Sequence, residues 1–237
     1  MGLNALPPAT RMRCFIAFIV GCVLWLAATV LSHVVPTVAL GLELVGLTFA
    51  IVAAIQLVLG PLAVWLALRI PGWTLADIGL RRAHWRADAA IGFAVAAVFA
   101  VLQFGLIIPA TGGAERSDVV ANVAQLGHSV PGLLAFIALA WAGSLSEELF
   151  FRGFLLNVLR RLFGSGRLAI ILASAFVIVF FAALHGYQGW AGMIDTSLYG
   201  GLTMTLLYLW RGGRLTACIV AHAGWNTIAC IALWGWF

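Results

Sequence analysis

Long apolar stretches determine what this chain can fold into. A helix that crosses a membrane needs about 20 mostly apolar residues, because the hydrocarbon core of a bilayer is about 30 Å thick. The sequence contains seven such stretches, at residues 14–31, 44–68, 89–108, 130–156, 168–185, 193–210 and 215–236. Charged residues make up only 9% of the chain, against about 25% in soluble domains. We therefore expect an all-α, polytopic transmembrane bundle of about seven spanning helices.

The distribution of arginine predicts how this bundle is oriented. All 13 basic residues are arginines. With the N-terminus inside, every arginine except Arg116 falls on the cytoplasmic side of the seven spans or within the bundle, as the positive-inside rule requires. We expect an integral protein surrounded by membrane lipid, in a bacterial cytoplasmic membrane. Because the positive charge is spread over loop ends and forms no patch, we do not expect a nucleic-acid partner.

A charged motif interrupts the fourth span. Glu147, Glu148 and Arg152 lie in a run that is otherwise apolar from residue 130 to 159. A charge in the middle of a membrane helix costs about 2.5–3.5 kcal/mol on insertion scales, and such residues usually serve a function. On a helix, Glu148 and Arg152 are one turn apart and can form an ion pair. Glu147 points about 100° away from Glu148 and can face a different partner.

Three later polar features could supply that partner. His185 ends the fifth span, Asp195 opens the sixth, and His222 and Asn226 are one turn apart on the seventh. Each has a structural alternative, because histidine and asparagine also serve as interfacial anchors or as hydrogen-bonding groups between membrane helices. Together with the charged motif, however, they are too costly a set for packing alone, and we interpret them as candidates for one site.

The heights of these residues along their helices test that interpretation. Glu147 and His185 flank the turn centred on Ser165 and lie at nearly the same level, about 27–30 Å from it at the rise of an α-helix. His222 is only about 14 Å beyond the turn at Gly212-Gly213. The levels therefore match only if the Ser165 turn extends further into the cytoplasm than the Gly212 turn.

Three motifs on successive spans resemble those of the CPBP family, the CAAX proteases and bacteriocin-processing intramembrane proteases, also called the Abi family. The motifs are Glu147-Glu148-x-x-x-Arg152, Phe181-x-x-x-His185 and His222-x-x-x-Asn226, in this order. The resemblance covers roughly residues 131–236. We accordingly expect a catalytic core at 131–237 and variable N-terminal transmembrane helices at 1–130.

The resemblance implies an intramembrane endopeptidase that hydrolyses a peptide bond of a membrane-associated protein or peptide. Glu147 would be the general base that activates water, with help from His185. His222 and Asn226 would stabilise the oxyanion. These roles agree with the chemistry of amide hydrolysis, which needs an activated water, a base and an electrophilic stabiliser.

The role of the second glutamate and of a metal ion follows from the same resemblance. Arg152 would hold Glu148 in place and leave Glu147 free for chemistry. Two histidines and a glutamate could instead supply the three protein ligands of an open zinc site, and Glu147, His185 and His222 are the candidates. The HExxH motif that normally places two zinc ligands on one helix is absent. The sequence leaves both a metal-dependent and a metal-free mechanism open.

The residues leave three other functions open. A rhomboid-type protease could use Ser144 or Ser146 with His185, but the two glutamates and the arginine would then have no role. The chain could also be a non-catalytic family member that acts as an immunity or assembly scaffold. A small transporter could use the acidic pair as an ion site, although it would be expected to carry inverted repeats or paired broken helices. The sequence contains no lipid-binding signature that would indicate a prenylated substrate.

Overall fold

The computed structural model describes residues 6–164 and 166–236, and this part of the chain is helical without any strand. The helices are α1 (Arg11–Val34), α2 (Phe49–Arg69), α3 (Trp85–Leu102), α4 (Ile108–Ala110), α5 (Ser117–Leu126), α6 (Val130–Glu148), α7 (Leu156–Phe163), α8 (Arg167–Leu184), α9 (Gly189–Thr196), α10 (Met204–Trp210) and α11 (Thr216–Trp236). Short π segments lie at Val35–Ala39, Gln103–Ile107, Leu149–Leu155 and Ser197–Thr203, and 3-10 turns at Gly46–Thr48, Gly113–Glu115 and Gly186–Gln188. Ser165, at the centre of the predicted turn, lies outside the described residues.

Most of the predicted spans correspond to helical runs long and apolar enough to cross a membrane. Among the described residues there are six: Arg11–Ala39, Gly46–Arg69, Trp85–Ala110, Val130–Phe163, Arg167–Leu184 and Thr216–Trp236. The predicted span at 193–210 is also helical, but it consists of three shorter pieces, namely α9, a π segment and α10. The prediction of an all-α bundle of about seven spans is confirmed.

The π segment between α9 and α10 lies where this chain segment packs closely against α8. A Cβ on Gly200 would lie 2.4 Å from the ring of Phe181, and one on Gly201 would lie 3.2 Å from Ile178. Small residues at such crossings let membrane helices approach each other. The close approach also brings the Gly201 carbonyl to 3.2 Å from Arg152 Nη2, so this irregular helix contributes directly to the charged motif.

The charged motif lies on the longest helical run. α6 begins after Ser129, whose side chain accepts a hydrogen bond from the Gly132 amide at 3.1 Å, with Pro131 in the first turn. Both residues suit a helix start, because Ser caps free N–H groups and Pro lacks one. After Glu148 the run becomes a π segment at Leu149–Leu155, in which every residue is buried, and then continues as α7. Such segments are frequent at functional sites.

α2 packs against α6 beside the glutamate pair. α2 continues as one helix through Gly60 and Pro61. Gly60 has a packing role: a Cβ there would lie only 2.0 Å from Ser146 Oγ. The missing side chain therefore lets α2 approach α6 at the residue next to Glu147.

α11 is held against α3 in a similar way. A Cβ on Gly92 of α3 would lie 2.6 Å from the Ala217 carbonyl and 3.0 Å from the Ala221 amide. This close crossing fixes the first turns of α11. His222 follows directly after Ala221, so the contact with α3 determines where the histidine of the third motif lies.

Candidate active site

A buried ion pair lies at the inner end of the candidate site. Arg152 Nη1 donates a hydrogen bond to Glu148 Oε1 at 3.0 Å, as the i,i+4 spacing predicted, and both side chains are fully buried. The guanidinium also lies 4.9 Å from the centroid of the Phe181 ring. Burying two charges is costly, and their pairing together with this cation–π contact offsets part of that cost.

The same carboxylate orients His222. Nδ1 of His222 lies 2.8 Å from Glu148 Oε1. Because an ionised carboxylate can only accept a hydrogen bond, Nδ1 carries the hydrogen and Nε2 is the ring nitrogen left for other partners. The sequence assigned Glu148 to Arg152 alone, and the structure adds His222 as its second partner.

Glu147 lies near the other ring nitrogen of His222, Nε2. Its Oε2 lies 3.9 Å from His222 Nε2. Its side chain is 26% exposed, whereas that of Glu148 is 0% exposed. Oε2 is buried and has no hydrogen-bond partner. A separation of 3.9 Å is too long for a hydrogen bond. Because 26% of the Glu147 side chain is exposed, the residue can still contact a water in the cavity.

These groups face a cavity of about 590 Å³ inside the bundle. Its wall includes Glu147 from α6, His185 from the end of α8, and His222 and Asn226 from α11. The structure therefore brings together, around one cavity, polar residues that lie on three separate helices and up to 79 positions apart in the chain (147 to 226).

His185 is held by a short hydrogen bond to a neighbour, and Asn226 by a long one. Nδ1 of His185 lies 2.8 Å from the Phe181 carbonyl, so Nδ1 carries the hydrogen and Nε2 can accept one. Nδ2 of Asn226 donates to Ser144 Oγ at 3.4 Å, near the upper limit for a hydrogen bond. The amide of Asn226 can therefore turn toward a ligand in the cavity at little cost.

Helices of the N-terminal half also form the cavity wall, which the sequence did not predict. Trp25 of α1, Gln56 of α2, Phe99 of α3 and Gln103 of the π segment after α3 line it. The Trp25 indole donates to Ser146 Oγ at 3.0 Å and so links α1 to the helix of the glutamates. The sign in the sequence that these spans contribute to a polar site was a glutamine in each of two otherwise apolar spans, Gln56 and Gln103.

Asp195 belongs to a second polar cluster and does not join the glutamate pair. It accepts hydrogen bonds from Gln103 and, at 3.1 Å, from Arg116 Nη2. Arg116 also donates to Asp118 at 2.7 Å. Hydrogen bonding to Asp118 raises the pKa of Arg116 above its usual range, although burial of the guanidinium acts in the opposite direction. The cluster ties the start of α5 to α3 and α9, and Asp118 and Asp195 also line the cavity.

The two serines near the glutamates have other partners. Ser146 accepts from Trp25, and Ser144 accepts from Asn226. In residues 6–164 and 166–236, neither serine hydroxyl hydrogen bonds to a histidine. The structure thus offers no activated serine of the kind that a rhomboid-type protease requires.

The possible metal ligands that the structure describes do not lie close enough together to form a metal site. Across the described part of the chain, no three His, Cys, Asp or Glu side chains are placed so that they could hold a metal ion together. The alternative ligand set of Glu147, His185 and His222 is therefore not a preformed metal site.

A free carboxylate, two histidines and an amide around a cavity inside a membrane bundle define a candidate hydrolase site. A family model described as "Type II CAAX prenyl endopeptidase Rce1-like" matches residues 129–228. No curated protein and no solved structure matches this chain. The matched segment runs from the start of α6 into α11 and contains all six candidate residues. The chain thus carries an Rce1-like domain, and the resemblance to the CAAX protease family is confirmed over this segment.

Proposed function

We propose that the chain is an intramembrane endopeptidase that hydrolyses a peptide bond of a membrane-associated protein or peptide by means of a water activated by Glu147. The observation that supports this most is the Glu147 carboxylate on the cavity wall, whose Oε2 has no hydrogen-bond partner and lies 3.9 Å from His222 Nε2. A general base needs a free lone pair within hydrogen-bond distance of the water that it deprotonates. The match to a protease family supports the same reaction class.

The water binds between the Glu147 carboxylate and the ring of His222. Glu147 takes one proton as the water oxygen attacks the carbonyl carbon of the substrate. The resulting tetrahedral intermediate carries a negative oxygen. The C–N bond then breaks, and the proton held by Glu147 passes to the departing amine, so the carboxylate is regenerated.

Two side chains on α11 are available for the negative oxygen. Asn226 can donate from Nδ2, because its present hydrogen bond to Ser144 is long at 3.4 Å. His222 can donate from Nε2 when its ring is protonated, and Glu148 stabilises that cation through Nδ1 at 2.8 Å. His185 lies on the same wall and can accept a hydrogen bond from the water or the substrate at Nε2.

Because the substrate is not identified, the test compares peptides from whole cells. Cells that lack the chain are complemented with the wild type, with Glu147→Gln or with Glu43→Gln, and membrane and secreted peptides are compared by mass spectrometry. Glu43 is an exposed glutamate outside the cavity and serves as the matched control. We expect specific cleavage products with the wild type and with Glu43→Gln, and none with Glu147→Gln.

The result also separates the proposed enzyme from a scaffold. If Glu147→Gln yields the same products as the wild type at equal abundance in the membrane, Glu147 is not the base and the proposal is wrong. If no product depends on the chain, but a cellular phenotype does and survives in Glu147→Gln, a non-catalytic role explains the data better.

A further inference from the structure

The arginines of this chain lie together at one end of the bundle. This arginine-rich end comprises Arg11, Arg13, Arg69, Arg81, Arg82, Arg86, Arg160, Arg161, Arg167, Arg211 and Arg214. Tertiary contacts join the segments that carry them: Arg161 to the Leu6 carbonyl at 2.8 Å, Trp73 to the Pro7 carbonyl at 3.0 Å, the Leu215 amide to the Gly79 carbonyl at 3.0 Å, and Arg211 and Arg214 to Asp88 at 2.8 and 2.7 Å. The clustering is thus a feature of the fold as well as of the sequence.

The cavity occupies the opposite half of the bundle. The helices that begin at the arginine-rich end line it with their later residues, as α1 does from Trp25 to His33 and α3 from Phe99 onward. The helices that end there line it with their earlier residues, as α2 does with Phe49 and Gln56. α5, which connects two helices at the far end, also contributes to the wall.

A dense core separates the cavity from the arginine-rich end. Residues 149–159, which follow the glutamates on the same helical run, are buried, and so are most of the residues of α11 that precede His222. The core includes Phe154, Leu155, Leu159, Tyr208, Leu215 and Cys218, all 4% exposed or less. Tyr208 is also fixed by hydrogen bonds with Asn157 at 2.8 Å and the Ile78 carbonyl at 3.0 Å. A peptide cannot reach Glu147 from the arginine-rich end without displacing this core.

The charge distribution then assigns the two ends to the two sides of the membrane. Arginines near helix ends are retained on the cytoplasmic side. The one arginine at the cavity end, Arg116, is buried between Asp118 and Asp195 at 2.7 and 3.1 Å, so its charge is neutralised there. Both observations place the arginine-rich end in the cytoplasm and the cavity on the other side.

We propose that the substrate enters from the non-cytoplasmic face, and that it is a translocated peptide segment and not the cytoplasmic tail of a protein. Suitable substrates are secreted propeptides and the extracytoplasmic ends of membrane-anchored segments. This inference rests on the proposed function for the nature of the reaction, but the direction of access follows from the fold and the arginines.

Access is measured with a thiol probe in sealed vesicles. The four native cysteines are replaced by alanine, and single cysteines are introduced as Ala229→Cys on the cavity wall, Glu115→Cys at the exposed far end, or Arg82→Cys at the arginine-rich end. Right-side-out and inverted membrane vesicles are treated with a membrane-impermeant sulfonated maleimide. If the cysteine-free chain does not fold, a variant that retains the fully buried Cys14 and Cys218 replaces it.

We expect Ala229→Cys and Glu115→Cys to be labelled in right-side-out vesicles only, and Arg82→Cys in inverted vesicles only. Labelling of Ala229→Cys from the same side as Arg82→Cys would overturn the proposal. Absence of Ala229→Cys labelling from both sides would also overturn it, because the cavity would then not be open to either aqueous phase.

A second measurement separates this inference from the proposed function. A polar, membrane-impermeant peptide library is added to both vesicle types, and cleavage that is lost in Glu147→Gln is scored by mass spectrometry. Cleavage in right-side-out vesicles alone supports both proposals. Cleavage in inverted vesicles alone contradicts the proposed direction of access but still supports the proposed peptidase activity. If labelling is as expected but no cleavage depends on Glu147, the proposed peptidase activity is contradicted and the proposed direction of access is still supported.

Discussion

Two clusters of buried charge in this bundle differ in how completely their oxygens are satisfied. At the arginine-rich end, Asp88 is fully buried and both of its oxygens are paired, with Arg211 at 2.8 Å and with Arg214 at 2.7 and 3.1 Å. In the candidate site, Oε1 of Glu148 is paired with both Arg152 and His222, whereas Oε2 of each glutamate is buried without a hydrogen-bond partner. Of the two glutamates, Glu147 is the one that lines the cavity.

The difference indicates what separates a structural ion cluster from a reactive one. Asp88 ties the start of α3 to the segment before α11, and it does not line the cavity of the candidate site. The glutamate pair divides two tasks, since one carboxylate fixes the neighbouring cation and imidazole while the other faces a cavity. Buried polar atoms without partners are rare in folded proteins, and an unpaired one on a cavity wall is a reason to expect chemistry there.

The largest effect on stability is expected for Arg152→Ala. Removing the cation leaves Glu148 as an uncompensated buried charge, which costs about 3–5 kcal/mol. Thermal or denaturant unfolding in detergent would measure this loss. Arg167→Ala, at an exposed arginine, is the control and should change stability little. Equal free energies of unfolding for the two variants would show that the buried pair of Glu148 and Arg152 does not stabilise the fold.

A large effect on catalysis is expected for Asn226→Ala. Loss of one oxyanion donor typically lowers kcat by about 10²–10³-fold, and because the amide is half-buried and weakly bonded, stability should change little. The kcat for a peptide found in the cell comparison measures the effect. Thr227→Ala is the matched control, since that hydroxyl bonds to its own helix at Ala223. A kcat for Asn226→Ala within twofold of the control would remove the amide from the mechanism.

An intermediate effect is expected for Gly60→Ala. The new Cβ would meet Ser146 Oγ at 2.0 Å and push α2 from α6, which costs about 1–3 kcal/mol for an overpacked contact. Because Ser146 adjoins Glu147, cleavage should fall as well. Gly235→Ala, where a Cβ has open space, should alter neither. If the Gly60 variant matched the Gly235 variant in both assays, the close approach of the two helices would be unimportant.

The smallest effect is expected for Asp88→Asn, and it should fall on stability alone. Arg211 and Arg214 retain some solvent access, with side chains 18% and 22% exposed, so the loss of the anion should cost about 1–2 kcal/mol. Cleavage per folded molecule should equal that of the wild type. A selective loss of kcat would mean that the Asp88 cluster and the glutamate pair are coupled and that Asp88 is not purely structural.

Much of the helical architecture was predictable because a bilayer imposes a length and an apolar composition on every spanning helix. The pairing of Glu148 with Arg152 was predictable as well, since it depends only on the helical period. The contact of His222 with Glu148 was not, because it depends on how α11 is placed by its crossing with α3 at Gly92.

The sequence also could not specify the height of each helix. α7 continues to Phe163 beyond the contact of Asn157 with Tyr208, whereas α10 ends at Trp210 soon after it. α7 therefore extends further past this contact than α10 does, in agreement with the difference in level that the sequence required. The π segments have no signature in the sequence, because they arise from close tertiary packing at residues such as Gly200.

The claim that Glu147 and His222 act on one water is tested most directly by a double-mutant cycle. The kcat/KM of a confirmed peptide substrate is measured for the wild type, Glu147→Gln, His222→Ala and the double variant, in the same detergent or lipid. Groups that act as a unit are strongly non-additive. We expect the double variant to be about as impaired as the worse single variant. Losses that multiply would show that the two residues act independently and would contradict the shared water.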